Sequence, residues 1–288
     1  MKTHGKTRIP GPIIRSRQGG LPRLFALALS LASLTATQAT NRIFTYSYEP
    51  ETMPKGAREF EQWITFRSGR TDAVGKERYV RWDIREEFEY GVTDWYTAAL
   101  YANLKQESYE APAPLGKFSE FSFEGISMEN RFQVLNPTKA AVGLALYLEG
   151  GIGGDEAKIE TKLIVGQRHG AWKWAVNLIY EHEWEDDFSE RVAKVGGTAG
   201  LGRDLGKGWN LGVELWSESE IADYSEWENS ALFVGPVISY RRPDWWIALT
   251  AMPQVWGTNF GSDPDGEPNL DLKSHERVNV RLLLGFDF

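Results

Sequence analysis

The chain has 288 residues, with 32 Lys and Arg against 40 Asp and Glu and a formal net charge of -8. Six of the bases and none of the acids fall in residues 1–40, so a chain lacking them carries 26 bases against 40 acids; a nucleic-acid partner is disfavoured, because phosphate binding is driven by basic surface. The absence of cysteine excludes a disulfide framework, thiol catalysis and thiolate metal ligation.

Residues 1–39 have the order of a secretory signal. Lys2, Lys6, Arg8, Arg15, Arg17 and Arg23 precede an apolar run from Leu24 to Leu34, and Ala36-Thr37-Gln38-Ala39 supplies small residues for cleavage after Ala39. The run is about 11 residues, well short of the roughly 20 that a spanning helix needs. Residues 40–57 are then expected to form a periplasmic N-terminal segment ahead of a barrel over 58–288.

Beyond that point 12 Trp, 11 Tyr and 14 Phe coexist with 29 Gly and a mean hydropathy of -0.40. The apolar residues alternate with polar ones, as in a sheet that is wet on one face and meets lipid on the other. Period-two stretches predict strands near 58–70, 78–91, 94–107, 119–135, 140–151, 157–168, 171–185, 191–205, 208–219, 229–241, 245–257 and 276–288. In the seventh, Trp172, Trp174, Val176, Leu178, Tyr180 and Trp184 share a face opposite Lys173, Asn177, Glu181 and Glu183, with His182 the one polar entry on the apolar side. In the last, even positions from Val278 to Phe288 are apolar, while Asn279, Arg281 and Asp287 fall on the odd face. Two registers are ambiguous: Phe121 and Phe123 are out of phase with Ile126 and Met128, which suggests a bulge at Gly125, and 245–257 is apolar on both faces.

The connections alternate in kind. Gly91–Asp94, Asn136–Lys139, Arg168–Gly170, Gly206–Gly208 and Arg242–Asp244 are tight, whereas Thr71–Glu77, Ser108–Lys117, Gly153–Glu156, Asp186–Glu190, Glu220–Glu228 and Thr258–Ser274 are mostly longer and acidic. Short turns at one end and long loops at the other are the arrangement of an outer-membrane barrel, and no Greek-key sandwich requires it. The fold class expected is therefore all-β: a transmembrane antiparallel up-and-down barrel of about 12 strands. Aromatics at the strand ends, from Tyr90, Trp95 and Tyr96 to Trp245, Trp246, Phe286 and Phe288, suit the two lipid-water interfaces.

With its signal segment, its terminal strand ending in Phe288 and the turn within residues 88–97, the chain resembles Gram-negative outer-membrane β-barrels, porin-like or transporter-like ones without an assigned substrate. The resemblance implies Sec-type export to the outer membrane, and recognition of Phe288 and Phe286 by the barrel-assembly machinery. Outer-membrane lipid, that machinery and small solutes are the partners expected.

Charges of both signs are expected to face the lumen: Arg81, Asp83, Arg85, Glu87, Glu149, Lys158, Glu160, Lys162, Lys173, Glu181, Glu183, Glu214 and Arg281. They would either line a passage and set its ion preference or form neutralising ladders in a filled interior. A narrow pore or transporter for small solutes and a structural or surface-interaction barrel without transport thus both stay open. The third reading is a lipid-processing enzyme: outer-membrane phospholipases place a His with a Ser and an Asn on the exterior, but here Tyr180 and Trp184 flank His182 and no His-x-Ser-Asn-Gly segment occurs. Asp263-Pro264-Asp265-Gly266-Glu267 lacks the full calcium-loop pattern, and Gly150-Gly151 and Gly153-Gly154 precede no phosphate-binding helix. No catalytic residue, cofactor or metal is expected.

Overall fold

A computed structural model describes residues 42–70, 75–111, 114–154, 156–185, 187–260 and 269–288. The expected signal segment and the Asp263–Glu267 stretch lie outside them.

The described residues form twelve strands: β1 (Arg58–Ser68), β2 (Glu77–Thr93), β3 (Tyr96–Ala111), β4 (Gly116–Leu135), β5 (Gly143–Gly153), β6 (Glu156–His169), β7 (Trp172–Glu185), β8 (Glu190–Gly206), β9 (Trp209–Ala222), β10 (Glu226–Arg241), β11 (Trp245–Asn259) and β12 (Val278–Asp287). Each pairs antiparallel with its neighbour in sequence, and β1 pairs with β12 to close the barrel. Closure leaves no sheet edge with unpaired backbone groups, the condition a sheet must meet to cross hydrocarbon.

The alternation read from the sequence sorts the side chains. Leu100, Leu146, Leu148, Val176, Leu178, Leu211 and Val213 are exposed on the outside. The bulge falls where the phase slips: Asn103 faces Gly125, Leu104 faces Phe123, and Glu124 is the extra residue. Gly125 takes φ 107°, and a Cβ there would lie 2.2 Å from the Ile152 carbonyl oxygen. The slip turns Phe121, Phe123, Ile126 and Met128 all outward while Glu124 points in.

The inside is less polar than the sequence suggested. Trp246, expected at an interface, is 1% exposed and packs inside the barrel with Trp63, Ala248 and Leu283. The two-faced apolarity of β11 has the same origin, since Trp246, Ala248 and Met252 of that strand are buried within. Its inward packing partners include residues from far upstream.

Residues 42–57 supply them, and the expectation of a periplasmic segment is corrected here. Residues 42–50 are buried throughout, and their hydrogen bonds run to inward groups of β7 and β9. Ile43 and Phe44 pack with Ala175 and Val237, Tyr46 with Phe233 and Met252, and Tyr48 with Trp63, Tyr147 and Leu283. The segment enters from the short-turn end, where the Met53 N–H donates to Thr97 Oγ1 and the Lys55 N–H to Asp94 Oδ1. At Gly91 any Cβ would lie 2.0 Å from the Pro54 carbonyl oxygen, so only glycine lets the chain turn inward there.

The facing can be tested with charge. Leu100 lies four residues above Tyr96, about 10 Å into the apolar band at roughly 3.3 Å per residue and a tilt near 40°. Leu100→Arg should cost about 2–4 kcal/mol in reversible unfolding from lipid vesicles. Asn103→Asp faces inward, where the Arg85 Nε already donates to residue 103 at 2.8 Å, and should cost far less. Equal costs would mean that the facing is wrong.

Candidate lumen site

The inserted segment is gripped by a single carboxylate. Glu214 of β9 is fully buried. Its Oε2 accepts from the Thr45 N–H at 3.0 Å, and its Oε1 from the Tyr46 and Ser47 N–H groups at 2.9 Å each. The Thr45 and Thr250 hydroxyls add bonds of 3.2 and 2.6 Å to Oε2. Three successive backbone donors curled around an anion form a nest, and bonds to a charged acceptor are the strong kind. One turn on, Asn177 holds Tyr48 at both ends, with Oδ1 accepting from its N–H at 2.7 Å and Nδ2 donating to its carbonyl at 2.9 Å. Small residues of the wall leave the room: a Cβ on Gly200 would lie 2.7 Å from the Phe44 ring. Arg42 reaches Glu61 at 3.3 Å, and Lys173 meets Glu51 at 3.2 Å.

Above the segment the barrel opens into a cavity of about 380 Å³ whose lining includes Tyr46 and Tyr48. One flank, on β12, β1 and β2, carries Arg281, Arg67, Arg81 and Arg85. Asp83 bridges Arg67 and Arg81 at 2.5 and 2.6 Å, and Arg85 meets Glu149 at 3.3 Å. Arg281 stacks over the Tyr46 ring at 3.9 Å and donates to Thr65 Oγ1 at 2.9 Å. The other flank, on β6 to β9, carries Glu181, Glu183 and Glu218 with Lys158 and Lys194. Lys194 meets Glu183 at 2.5 Å and Lys158 meets Glu181 at 3.4 Å. Arginine thus predominates on one side of this small volume and glutamate on the other, each with paired counter-charges beside it.

Residues 269–276 fold back against the same end. Gln254 Oε1 accepts from the Asp271 N–H at 2.7 Å, and Arg70 donates to the Ser274 carbonyl at 2.8 Å and to Glu276 at 3.0 Å. Burial works against the Glu276 charge, but the Arg67 and Arg70 guanidiniums outweigh it and hold this carboxyl below the usual range.

The charges expected in the lumen fall into two groups. Arg81, Asp83, Arg85, Lys158, Glu160, Lys162, Glu181, Glu183 and Arg281 line the cavity. Glu87, Glu149, Lys173 and Glu214 are buried in the packed region. Sequence reasoning passed over Arg67, Lys194 and Glu218 in the cavity, the acids Glu59, Glu61, Glu89 and Glu129, and the inserted segment. A signal for the last existed: Ile43, Phe44, Tyr46 and Tyr48 are too apolar for a solvated linker. Phe286 and Phe288 are exposed, with Phe288 5.9 Å from the Phe88 ring. His182 faces outward as expected but is only 8% exposed, covered by the stacked Tyr224, whose hydroxyl is 2.9 Å from its Nε2.

Residues 36–288 match the family of unknown function DUF6662. No curated protein matches the chain. Among solved structures, the COG4313 outer membrane channel from Pseudomonas putida F1 aligns with a TM-score of 0.59 at 12% identity, covering 85% of this chain and 100% of that one. The NanC porin gives 0.48 at 10% identity, over 80% of this chain and 100% of its own. The KdgM porin in complex with disordered oligogalacturonate gives 0.45 at 7% identity, over 81% and 99%. The likeness to the channel is one of fold: a porin-like, twelve-strand outer-membrane barrel.

Glu214→Ala should release the segment, because three buried N–H groups lose their acceptor at about 1–3 kcal/mol each. Added protease should then cut within residues 42–57 of the folded barrel, and Trp216, whose ring stacks on Tyr46 at 5.6 Å, should shift its fluorescence to the red. Glu214→Gln keeps an acceptor oxygen and should do less. Undiminished protease resistance in Glu214→Ala would contradict the grip.

Proposed function

The chain belongs to the DUF6662 family, and we propose that it is an outer-membrane channel or transporter for small polar solutes, kept narrow by its own N-terminal segment. The observation that carries this reading is the charged cavity of about 380 Å³ with the inserted segment below it. A solute entering from the long-loop end meets mostly arginines on one side and glutamates, partly paired with lysines, on the other. Opposed charge in a confined space sets a transverse field, which favours small dipolar solutes over apolar ones.

On this reading the signal segment directs Sec-type export, Phe286 and Phe288 are read by the assembly machinery, and the barrel sits with its short turns in the periplasm. The apolar outer face supports placement in lipid. The fold shared with an outer membrane channel is in keeping with passage, and the substrate class rests on the cavity chemistry alone. A second reading, a structural barrel without transport, draws on the same inserted segment, because Tyr46 and Tyr48 lie beneath the cavity.

Conductance across planar bilayers separates the two. The wild-type barrel should pass little current. Glu214→Ala, or removal of residues 42–50, should raise the conductance, and Arg81→Glu in that background should shift the preference toward cations. If freeing the segment leaves the current unchanged, passage is contradicted and the barrel is structural.

A further inference from the structure

The packed half of the barrel holds an excess of buried acid. The register of β1 against β2 sets Glu59 opposite Glu89 and Glu61 opposite Glu87, all four facing inward and at most 1% exposed. Like charges directly opposite on paired strands are destabilising, and a buried carboxylate needs a partner. Two arginines reach the group: Arg42 lies 3.3 Å from Glu61 Oε2, and Arg131 lies 2.5 Å from Glu89 Oε1 and 3.0 Å from Glu129. The Trp63 indole adds a 2.8 Å bond to Glu61 Oε2.

These contacts use one oxygen each of Glu61 and Glu89 and leave the others. Glu61 Oε1, Glu89 Oε2 and both oxygens of Glu87 are buried with no hydrogen-bond partner among the described residues. Glu87 is the telling one, a fully sequestered carboxylate with nothing on either oxygen. Oxygens from Glu61, Glu87 and Glu89 lie within 4.8 Å of one another, a spread that one cation can span.

We propose that Glu61, Glu87 and Glu89 bind a single calcium ion, which ties β1 to β2 beneath the inserted segment. The donor set is all carboxylate, which suits a hard cation and not one preferring thiolate or imidazole. Calcium accepts carboxylates singly or in bidentate fashion at about 2.3–2.6 Å with flexible geometry, whereas magnesium demands a near-ideal octahedron at about 2.0–2.1 Å and retains several waters. Two positive charges at this point answer the surplus that Arg42 and Arg131 leave. Because Arg42 holds Oε2 of the same Glu61, the ion also steadies the inserted segment at Arg42.

The test uses the mature full-length chain folded in detergent with calcium chloride and then desalted. Elemental analysis should find one calcium per chain. Terbium added during refolding should luminesce on excitation of tryptophan, since Trp63 touches a ligand. Refolding in chelator should lower the melting temperature, and calcium, not magnesium, should restore it. Glu87→Gln, which keeps the shape, should weaken calcium binding by at least about tenfold. The alternative is that the carboxyls share protons, in which case wild-type barrels hold no calcium, chelator has no effect and Glu87→Gln melts at or above the wild-type temperature. That result would overturn the proposal, as would undiminished calcium in Glu87→Gln. Should the variant fail to fold, the calcium content and terbium signal of the wild-type chain decide.

Discussion

The interior of this barrel depends on one interaction, the hold of the buried Glu214 carboxylate on three successive backbone N–H groups of residues 45–47. A segment carried into a barrel brings unpaired peptide groups with it, and each costs free energy unless the wall answers it. Glu214 and Asn177 answer four N–H groups in a row. With those groups satisfied, the side chains of Ile43, Phe44, Tyr46 and Tyr48 can stay in an apolar setting. The wall has matching features: glycine at 200 where Phe44 approaches, alanine at 175 and 248, and Trp63, Trp246 and Leu283 turned inward.

The result is an interior of two characters. Toward the short turns it is packed, with aromatic side chains and buried acids. Toward the long loops it is a polar cavity with unlike charges on opposite flanks. A barrel of eight strands fills with its own side chains and one of sixteen holds open water. Twelve strands lie between, and here the difference is made up by an added stretch of chain. On the proposed reading, passage of solute depends on how firmly that stretch is held.

Much of the architecture could be read from the residues. The period-two stripes of β7 and β12 and the alternation of tight turns with long connections require no tertiary information, because strand geometry imposes them locally. The phase slip at Gly125 was visible for the same reason. The inner packing was not, because its partners lie far apart in sequence: Trp246 looks like an interface residue, and Leu283 an odd apolar entry on a polar face, until Tyr48 is placed beside them. The apolar character of both faces of β11 and of residues 43–48 pointed to a contact, but neither names the other. Single charges such as Glu214 and Glu87 look alike in a list of lumen acids, and only the inserted segment and the β1–β2 register separate a peptide grip from an unpaired carboxylate.

The central claim, that residues 42–50 are a built part of the barrel interior, is tested most directly by hydrogen exchange of individual amides in the folded protein in micelles. The Thr45, Tyr46, Ser47 and Tyr48 amides should exchange as slowly as those in the middle of β7 and β9, because opening them requires breaking the Glu214 and Asn177 contacts. Exchange at the rate of the long connections would contradict the account.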